Sequence, residues 1–231
     1  MTKLILMNTF TEENYLKAIY KIAEEGDDFI TTNDIAGKMN TKAASVTDML
    51  RKLSAKKLIK YKKYYGVALT ENGKKVALNI IRSHRLWEMF LVKTLKFKWD
   101  EVHDVAEQLE HVRSEKLVKH IDKFLNFPKF DPHGDPIPDA NGKIISSHEK
   151  SVLLSEAKHD KNLVITGVKD HSVSFLQLME KSGIVPGSKI KVKAVQPYDK
   201  SLSLVLNGRK KMFVSNQIAK NILVANAGGR K

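Results

Sequence analysis

The stretch between residues 84 and 111 constrains the fold of this chain more than any other. It concentrates histidines and carboxylates at helical spacing, in the order His84, Glu88, His103, Glu107, Glu110 and His111. Because a helix turns by about 100° per residue, the last four should fall within roughly 100° of one another on one helix. The first two form an i, i+4 pair on another helix. If the two helices pack together, the imidazoles and carboxylates converge, and such a donor set suits a divalent transition metal.

Glutamates and histidines on an amphipathic helix more often form a solvated face, and this alternative stays open. The solvated faces elsewhere in the chain are mostly lysine-rich, as at Lys116, Lys119 and Lys123. Between residues 103 and 111, acids and histidines are concentrated next to an apolar arc instead. The pattern alone therefore supports a metal site and a solvated surface about equally.

Residues 31–53 have the pattern of a helix-turn-helix, a motif that places its second helix in the DNA major groove. We expect Thr32 or Asn33 to cap a short first helix, a break near Asn40, and a second helix up to Leu53. Small residues at the start of the second helix let it approach base edges closely. The expected DNA contacts in this motif are Thr32, Lys42, Ala43, Ser45, Thr47, Asp48 and Arg51.

Residues 58–70 predict two short strands around a basic turn that carries Lys62 and Lys63. An ordinary hairpin with solvated lysines has the same pattern, but directly after a helix-turn-helix we interpret it as a wing that contacts phosphates. The chain has a formal net charge of +14, and residues 38–75 contain eleven Lys or Arg against two acids. This charge favours double-stranded DNA as the partner, with a membrane surface second.

The rest of the chain predicts more helices and a small β domain. A helix with Thr11 as its N-cap is expected to run to about residue 25, a long one from Lys74 to about Leu95, and another from Lys116 to Phe127. These helices carry more apolar residues than one small core can bury, so some of them are expected to form a helical homodimer interface. Short strands between residues 163 and 225 with one helix suggest an SH3-like β-barrel.

The fold class expected is therefore mainly α with a small β part. A proline-rich linker over residues 127–147 holds Asp131 and His133, which are either further metal ligands or turn residues. The expected domains are a winged helix-turn-helix over 1–75, a helical metal-binding and dimerisation domain over 76–146, and an SH3-like domain over 147–231.

The sequence argues against several other classes of protein. It contains no cysteine, so it has no disulfide, thiolate ligand or cysteine nucleophile, which fits a reducing cytoplasm. The apolar run Leu4–Met7 is too short for a signal peptide, and no stretch is long enough to span a membrane. A metal-dependent hydrolase is disfavoured because His-Glu-x-x-His and a glycine-rich phosphate loop are both missing. No small-molecule substrate is expected.

Several motifs spread along the chain resemble the diphtheria toxin repressor family of metal-dependent repressors, which includes the manganese transport regulators. The motifs are Asn14-Tyr15-Leu16-Lys17-Ala18-Ile19-Tyr20, Ser45-Val46-Thr47, Leu69-Thr70-Glu71-Asn72-Gly73, His84-Arg85-Leu86, Val102-His103-Asp104, Glu110-His111-Val112, Asp131-Pro132-His133-Gly134 and Ile137-Pro138. The C-terminal part resembles the SH3-like (FeoA-like) domain of the longer members.

The resemblance implies two metal sites. A primary, activating site is matched by Glu107, Glu110 and His111. An ancillary site is matched by His84, Glu88 and His103, with Asp170 or His171 as a further ligand from the C-terminal domain. In streptococcal-type members the motif at Asp131 and His133 supplies ligands as well.

Two positions depart from the family pattern, and both lie in the first helix. Asn14 stands where members have a Met or Asp ligand, and an amide oxygen coordinates more weakly than a carboxylate. Lys17 replaces a second acid of the regulators that bind paired metals, so a copy of that paired site is not expected.

The function implied is a cytoplasmic, homodimeric repressor of metal-uptake genes that binds a palindromic operator. The donor set favours Mn²⁺ or Fe²⁺ as the activating ion, with Zn²⁺ binding in vitro. Metal would shift the balance toward the DNA-binding conformation, by about 1–3 kcal/mol in typical couplings. The alternative within DNA binding is a winged-helix regulator without a metal switch.

Overall fold

The computed structural model describes residues 8–24, 26, 29–62, 65–144, 151–158 and 160–227. The chain divides into two compact units. The N-terminal unit comprises residues 1–84, 109–113 and 138–143, and the C-terminal unit comprises residues 85–108, 114–137 and 144–231.

The N-terminal unit contains the predicted winged helix-turn-helix. Its elements are α1 (Phe10–Glu24), α2 (Thr32–Lys38), α3 (Ala43–Ala55), β1 (Ile59–Lys62), β2 (Gly66–Leu69) and the first part of α4 (Glu71–Lys93). The two strands pair antiparallel, with Ile59 opposite Leu69. Fully buried side chains from all three helices, among them Leu16, Ile35 and Leu50, form the core. Burying these apolar faces holds α3 in place while its opposite side stays exposed.

The caps of the first two helices differ from the prediction. Thr31, and not Thr32 or Asn33, caps α2, because its hydroxyl accepts a hydrogen bond from the Asp34 amide while the Asp34 carboxylate accepts one from the Thr31 amide. The same two-way arrangement joins Thr9 and Glu12 at the start of α1, where Thr11 was expected. In both cases an acid three residues after a threonine satisfies two backbone donors at once.

Substituting Thr31 with alanine is expected to lower the free energy of unfolding by about 1 kcal/mol, because the Asp34 amide loses its acceptor. Urea denaturation of the Thr31→Ala protein measures this loss. Thr32→Ala is the matched control and should change stability by less than half as much. Equal losses in the two variants would contradict the assignment of Thr31 as the cap.

The segment that carries the acids and histidines is less helical than predicted. Helix α5 (Val102–Leu109) contains His103 and Glu107 but ends before Glu110 and His111, which lie in a turn. Helix α6 (Glu115–Phe124) follows, and the Ser114 hydroxyl caps it by accepting from the Leu117 amide at 3.2 Å. Because Ser114 must be non-helical to cap α6, the chain turns at residues 110–113 instead of continuing α5. The prediction that one helix carries all four side chains was wrong.

The C-terminal unit combines helical layers with one sheet. Its strands are β3 (Val152–Leu153), β4 (Asn162–Val168), β5 (Lys189–Val195), β6 (Leu202–Leu206), β7 (Lys210–Val214) and β8 (Ile222–Asn226). They form one antiparallel sheet in the order β3-β8-β4-β5-β6-β7. Helices α7 (Val173–Ser182) and α8 (Asn216–Ala219) accompany it, and Trp99 from the α4–α5 connection is buried in the same core. The expected small β domain with one main helix is confirmed.

The proline-rich segment packs closely against this sheet. The His133 carbonyl accepts a hydrogen bond from the Val168 amide of β4 at 3.0 Å. Gly134 adopts a positive φ of 96°, and a Cβ there would lie 2.2 Å from the Thr166 carbonyl oxygen. Only glycine fits this position, so the sheet holds the loop that carries Asp131 and His133. None of the helices in the described ranges combines the length and apolarity that crossing a membrane requires.

Candidate metal centre and DNA interface

Glu110 is the centre of a buried polar cluster in the N-terminal unit. Its side chain is fully buried and accepts a hydrogen bond from the Lys17 ammonium of α1, with 2.6 Å between Nζ and Oε1. Its other oxygen lies 2.7 Å from Nδ1 of His84. The cluster connects the first helix, the middle of α4 and the turn after α5, which are distant in sequence.

His111 is oriented by a residue that the sequence analysis did not select. Its Nδ1 lies 2.7 Å from the carboxylate of Glu13, and its ring stacks on Phe10 at 4.7 Å between centroids. With Nδ1 donating to Glu13, the lone pair of Nε2 is on the side of Glu110, whose Oε1 is 3.6 Å away. A carboxylate that orients a histidine in this way is a common outer partner of metal ligands. Residues 10, 13, 14 and 17 share one face of α1, a spacing that could have pointed to Glu13.

Asn14 contributes an oxygen to the same face of α1. Its Oδ1 is buried and finds no hydrogen-bond partner among the described residues. A buried acceptor left unsatisfied costs about 1–3 kcal/mol, a cost that a bound cation would remove. By the chemistry of their donor atoms, the amide oxygen of Asn14, the carboxylate of Glu110 and the imidazole of His111 suit a divalent ion.

The charge state of Glu110 suits this role. Burial by itself raises the pKa of the Glu110 carboxyl, but the hydrogen bond from His84 and the positive charge of Lys17 outweigh it and leave that pKa below its ordinary value. Glu110 is consequently an ionised carboxylate at neutral pH. An ionised, buried oxygen donor is a strong ligand for a hard cation.

A second cluster lies in the C-terminal unit, around Glu88 of α4. Ligand atoms of Glu88, Asp131 and His133 lie within 4.8 Å of one another, and all three residues are buried. Nε2 of His133 donates to the Trp99 carbonyl oxygen at 2.7 Å, which fixes the ring and leaves Nδ1 toward Glu88, at 3.8 Å. Two carboxylates and one oriented imidazole fit a divalent ion of the Mn²⁺ or Fe²⁺ type.

The titration of this cluster reflects its crowded negative charge. Burial, with the neighbouring charges of Asp135 and Glu88, raises the pKa of Asp131 to about 7, against the opposing effect of Arg85. For His133, burial lowers the pKa, but the hydrogen bond and charge of Glu88 dominate and raise it to about 9. Charge repulsion of this kind is relieved by a bound cation.

The sequence left open whether Asp131 is a metal ligand or a turn residue, and its contacts are compatible with both roles. Its Oδ1 accepts hydrogen bonds from the His133 and Asp135 amides at 2.8 and 2.9 Å, the pattern of an Asx-turn. Its Oδ2 lies 3.6 Å from Nε of Arg85, a residue that the sequence analysis did not select. Arg85 also donates to Asp135 and to the Pro136 carbonyl oxygen, so it anchors the whole loop.

The remaining candidate ligands are at the edges of the second cluster. His103 lies 3.5 Å from Glu88 and 3.6 Å from Glu107, and both His103 and Glu107 are about half exposed. The ring of His171 stacks on that of His133 at 5.0 Å, and burial with the nearby His133 charge lowers the pKa of His171. Asp170 instead accepts a hydrogen bond from the Ser172 amide just before α7, the pattern of an Asx-turn.

The predicted DNA-contacting residues are on the exposed side of the helix-turn-helix. Lys42 immediately precedes α3, and Ala43 and Ser45 in its first turn are exposed. A shallow depression of about 630 Å³ lies over the turn between α2 and α3 and includes Lys42 and Ser45 in its lining. Such an open, polar surface at the start of the second helix is typical of a groove-reading motif.

Some of these side chains already have intramolecular partners. The Thr47 hydroxyl donates to the Ala43 carbonyl oxygen, and Arg51 pairs with Asp48 at 3.3 Å while both stay exposed. Thr32 is the half-buried first residue of α2. In the wing, the Lys62 ammonium lies 4.0 Å from the centre of the Tyr65 ring, and Lys63 is outside the described residues.

Comparisons with known proteins agree with this arrangement. Residues 7–67 match the family model "Iron dependent repressor, N-terminal DNA binding domain", residues 70–139 match "Iron dependent repressor, metal binding and dimerisation domain", and residues 152–226 match "FeoA domain". The iron-dependent repressor IdeR of Mycobacterium leprae is 28% identical over 192 residues, which cover 79% of this chain and 83% of that protein.

Solved structures show the same similarity over more of the chain. A manganese-dependent transcriptional repressor in complex with manganese is 31% identical, with a TM-score of 0.80, and the match covers 93% of this chain and 99% of that one. ScaR with bound Zn²⁺ is 32% identical, with a TM-score of 0.72 and coverage of 93% and 99%.

The winged helix-turn-helix and the buried carboxylate–histidine clusters define a metal-responsive DNA-binding regulator. The chain belongs to the iron-dependent repressor family of metal-dependent transcriptional repressors, with a DNA-binding domain, a metal-binding and dimerisation domain and a FeoA domain. IdeR and the manganese-dependent protein are both described as repressors.

Proposed function

We propose that this protein is a homodimeric repressor of metal-uptake genes that binds a palindromic operator when Mn²⁺ or Fe²⁺ is bound. The observation that carries the proposal is the Glu110 cluster. Its donors come from α1 of the DNA-binding domain, where the buried Oδ1 of Asn14 finds no partner among the described residues, and from Glu110 and His111 in the turn after α5. An ion bound there would contact the DNA-binding domain directly, so its binding would be linked to the conformation of that domain.

The choice of metal follows from the donor atoms. Oxygen and imidazole nitrogen donors without a thiolate suit Mn²⁺ or Fe²⁺, although isolated sites of this kind bind Zn²⁺ more tightly. The relatives are consistent with this choice: IdeR is described as iron-dependent, and the similar solved structures include complexes with manganese, zinc and cadmium. We infer that the protein acts in the cytoplasm, where such ions and DNA are both present.

The predicted ligands fall into three groups: the activating site, a second ion site and the edge of that second site. Asn14, Glu110 and His111 form the activating site, with His84 and Glu13 as orienting partners. A second ion site is assigned to Glu88, Asp131 and His133, whose ligand atoms converge. The edge residues of that second site are His103, Glu107 and His171.

The proposal assigns the exposed side of α3 to the major groove. Ala43, Ser45, Thr47 and Asp48 are placed at base edges, where small side chains permit close approach. The phosphate contacts are assigned to Thr32, Lys42, Arg51, Lys62 and Lys63. Metal bound at Glu110 favours the arrangement of the dimer in which two such helices fit one operator.

Fluorescence anisotropy with a family-type palindromic DNA tests this function. At fixed salt, we expect operator affinity to increase roughly 5–150-fold from chelator to Mn²⁺ or anaerobic Fe²⁺, and the increase to disappear in His111→Ala. Operator affinity that is high both with chelator and with metal would favour a winged-helix regulator without a metal switch. An unchanged increase of operator affinity with metal in His111→Ala would show that His111 is not part of an activating site.

Substituting Lys42 with alanine is expected to weaken binding to operator and to unrelated DNA by similar factors, because the lost contact is to phosphate. The slope of log affinity against log salt should become shallower by about 0.9. Lys119→Ala is the matched control, since Lys119 on α6 is also a lysine and its side chain is 69% exposed. A selective loss of operator binding would instead place Lys42 at a base edge.

A further inference from the structure

The ammonium of Lys17 contacts Oε1 of Glu110, an oxygen that the proposed activating ion would also bind. Its Nζ lies 2.6 Å from Oε1 of Glu110, and the same Oε1 lies 3.6 Å from Nε2 of His111. The Lys17 side chain is only 10% exposed, and the carboxylate of Glu110 is completely buried. An ion bound to both Glu110 and His111 would lie where the Lys17 ammonium now lies. The ion and the ammonium therefore compete for the same space.

We propose that Lys17 is a tethered cation that competes with a divalent ion for Glu110 and so sets the ion concentration at which the activating site fills. This inference rests on the proposed function, because it concerns the same site. It assigns a role to a buried lysine, and it follows from the contact itself.

The balance of charge supports competition. The cluster has two carboxylates, Glu13 and Glu110, and the buried ammonium of Lys17 offsets one of them. Arg113 also approaches Glu13, at 3.7 Å, but its side chain is 36% exposed and its effect is screened by solvent. A divalent ion would neutralise two carboxylates, whereas beside a buried ammonium it would leave an excess positive charge, which a poorly solvated site disfavours.

The length of the lysine side chain makes the competition reversible. Four methylene groups separate the ammonium from α1, so Lys17 is able to leave Glu110 through rotamer changes while the helix stays in place. A second ion next to the first would meet the same positive charge. The activating site of this protein is therefore a site for one divalent ion.

The same ion pair has a consequence for the metal-free protein. Lys17 of α1 donates directly to Glu110 of the turn after α5. Because this contact needs no ion, we expect it to link the first helix to that turn in the absence of a metal. Removing the ammonium should loosen α1 in chelator and strengthen metal binding, and these two effects have opposite signs.

The test uses the full-length protein and the variant Lys17→Met, which keeps the side-chain length and removes the charge. Free Mn²⁺, measured by its electron paramagnetic resonance signal, gives the binding isotherm at fixed salt. The sites that are lost in Glu110→Gln identify the activating site, and their Mn²⁺ affinity is compared between the wild type and the Lys17 variants. We expect Lys17→Met to bind Mn²⁺ at those sites about tenfold more tightly or better, whereas Lys17→Arg stays close to the wild type.

A second measurement works without metal. In chelator, hydrogen exchange of the α1 amides should be faster in Lys17→Met than in the wild type. Lys119→Met, which changes an exposed lysine paired with the exposed Glu115, is the matched control and should alter neither measurement.

The outcomes separate this inference from the function on which it rests. If Glu110→Gln removes a class of Mn²⁺ sites but Lys17→Met binds no more tightly there, Lys17 is not a competitor, and the proposed activating site stands. If Glu110→Gln removes no class of sites, the activating site itself is wrong, and the inference is overturned with it. Unchanged α1 exchange in Lys17→Met would contradict the link in the metal-free protein.

Discussion

Replacing Glu110 with alanine is expected to lower the free energy of unfolding of the metal-free protein by about 3–5 kcal/mol, the range for breaking one side of a buried ion pair. The variant leaves the Lys17 ammonium, 10% exposed, without the carboxylate 2.6 Å away, and it also removes the partner 2.7 Å from His84. Both groups would then lose their contact with the Glu110 carboxylate in a buried setting. The loss comes from these broken buried contacts more than from the carboxylate itself.

Urea denaturation in the presence of chelator measures this loss. The double variant Lys17→Met with Glu110→Leu should recover most of it, because apolar residues of similar volume replace a buried ion pair at little cost. Glu115→Ala is the control, since Glu115 is 92% exposed and its pair with Lys119 should contribute less than about 1 kcal/mol. A loss in Glu110→Ala as small as that in Glu115→Ala would show that the cluster does not hold α1.

Replacing Gly134 with alanine is expected to displace the loop that carries Asp131 and His133. The added Cβ would lie 2.2 Å from the Thr166 carbonyl oxygen and 2.4 Å from the Cα of Gly167, and φ is +96°. Backbone strain of about 1–2 kcal/mol and overpacking of about 1–3 kcal/mol should both reduce the stability of the C-terminal unit. Mn²⁺ binding at the Glu88 cluster should weaken in the same variant, because two of its ligands move.

Gly187 provides the matched control for this substitution. Its φ is +92°, but no atom lies within 4 Å of an added Cβ. Gly187→Ala therefore introduces the backbone strain without the overpacking. The difference between the thermal unfolding temperatures of the two variants then measures the effect of the contact between the added Cβ and β4. Equal losses of stability, with Mn²⁺ binding intact in both, would mean that the sheet does not position the loop.

The sequence was sufficient wherever a local pattern specifies local structure. The helix-turn-helix and its wing followed from apolar spacing and from the break near Asn40, and the short strands followed from β-rich runs between turns. The helix caps were missed because Thr31 and Thr9 are followed by threonines that look equally suitable. What distinguishes them is the acid three residues later, in Asp34 and Glu12.

The candidate site was predicted less completely than the fold. The residue types were recognised, but their grouping was derived from one long helix, and that helix ends at Leu109. Glu110 and His111 face α1 from a turn, where helical spacing does not apply. Glu13 and Arg85 were missed because each acts through a partner about 100 or 50 residues away in the sequence.

The sequence by itself determined the class of protein: a basic winged helix-turn-helix, a helical region rich in carboxylates and histidines without cysteine, and a small β domain. Those features depend on periodicity, composition and short motifs, all of which are local. Only the tertiary structure decided which donors share a site, that Lys17 occupies the oxygen of Glu110, and that Gly134 fixes the Asp131 loop on the sheet. These facts depend on contacts between residues far apart in the chain, and such contacts are set by how the apolar faces of the helices and the sheet pack together.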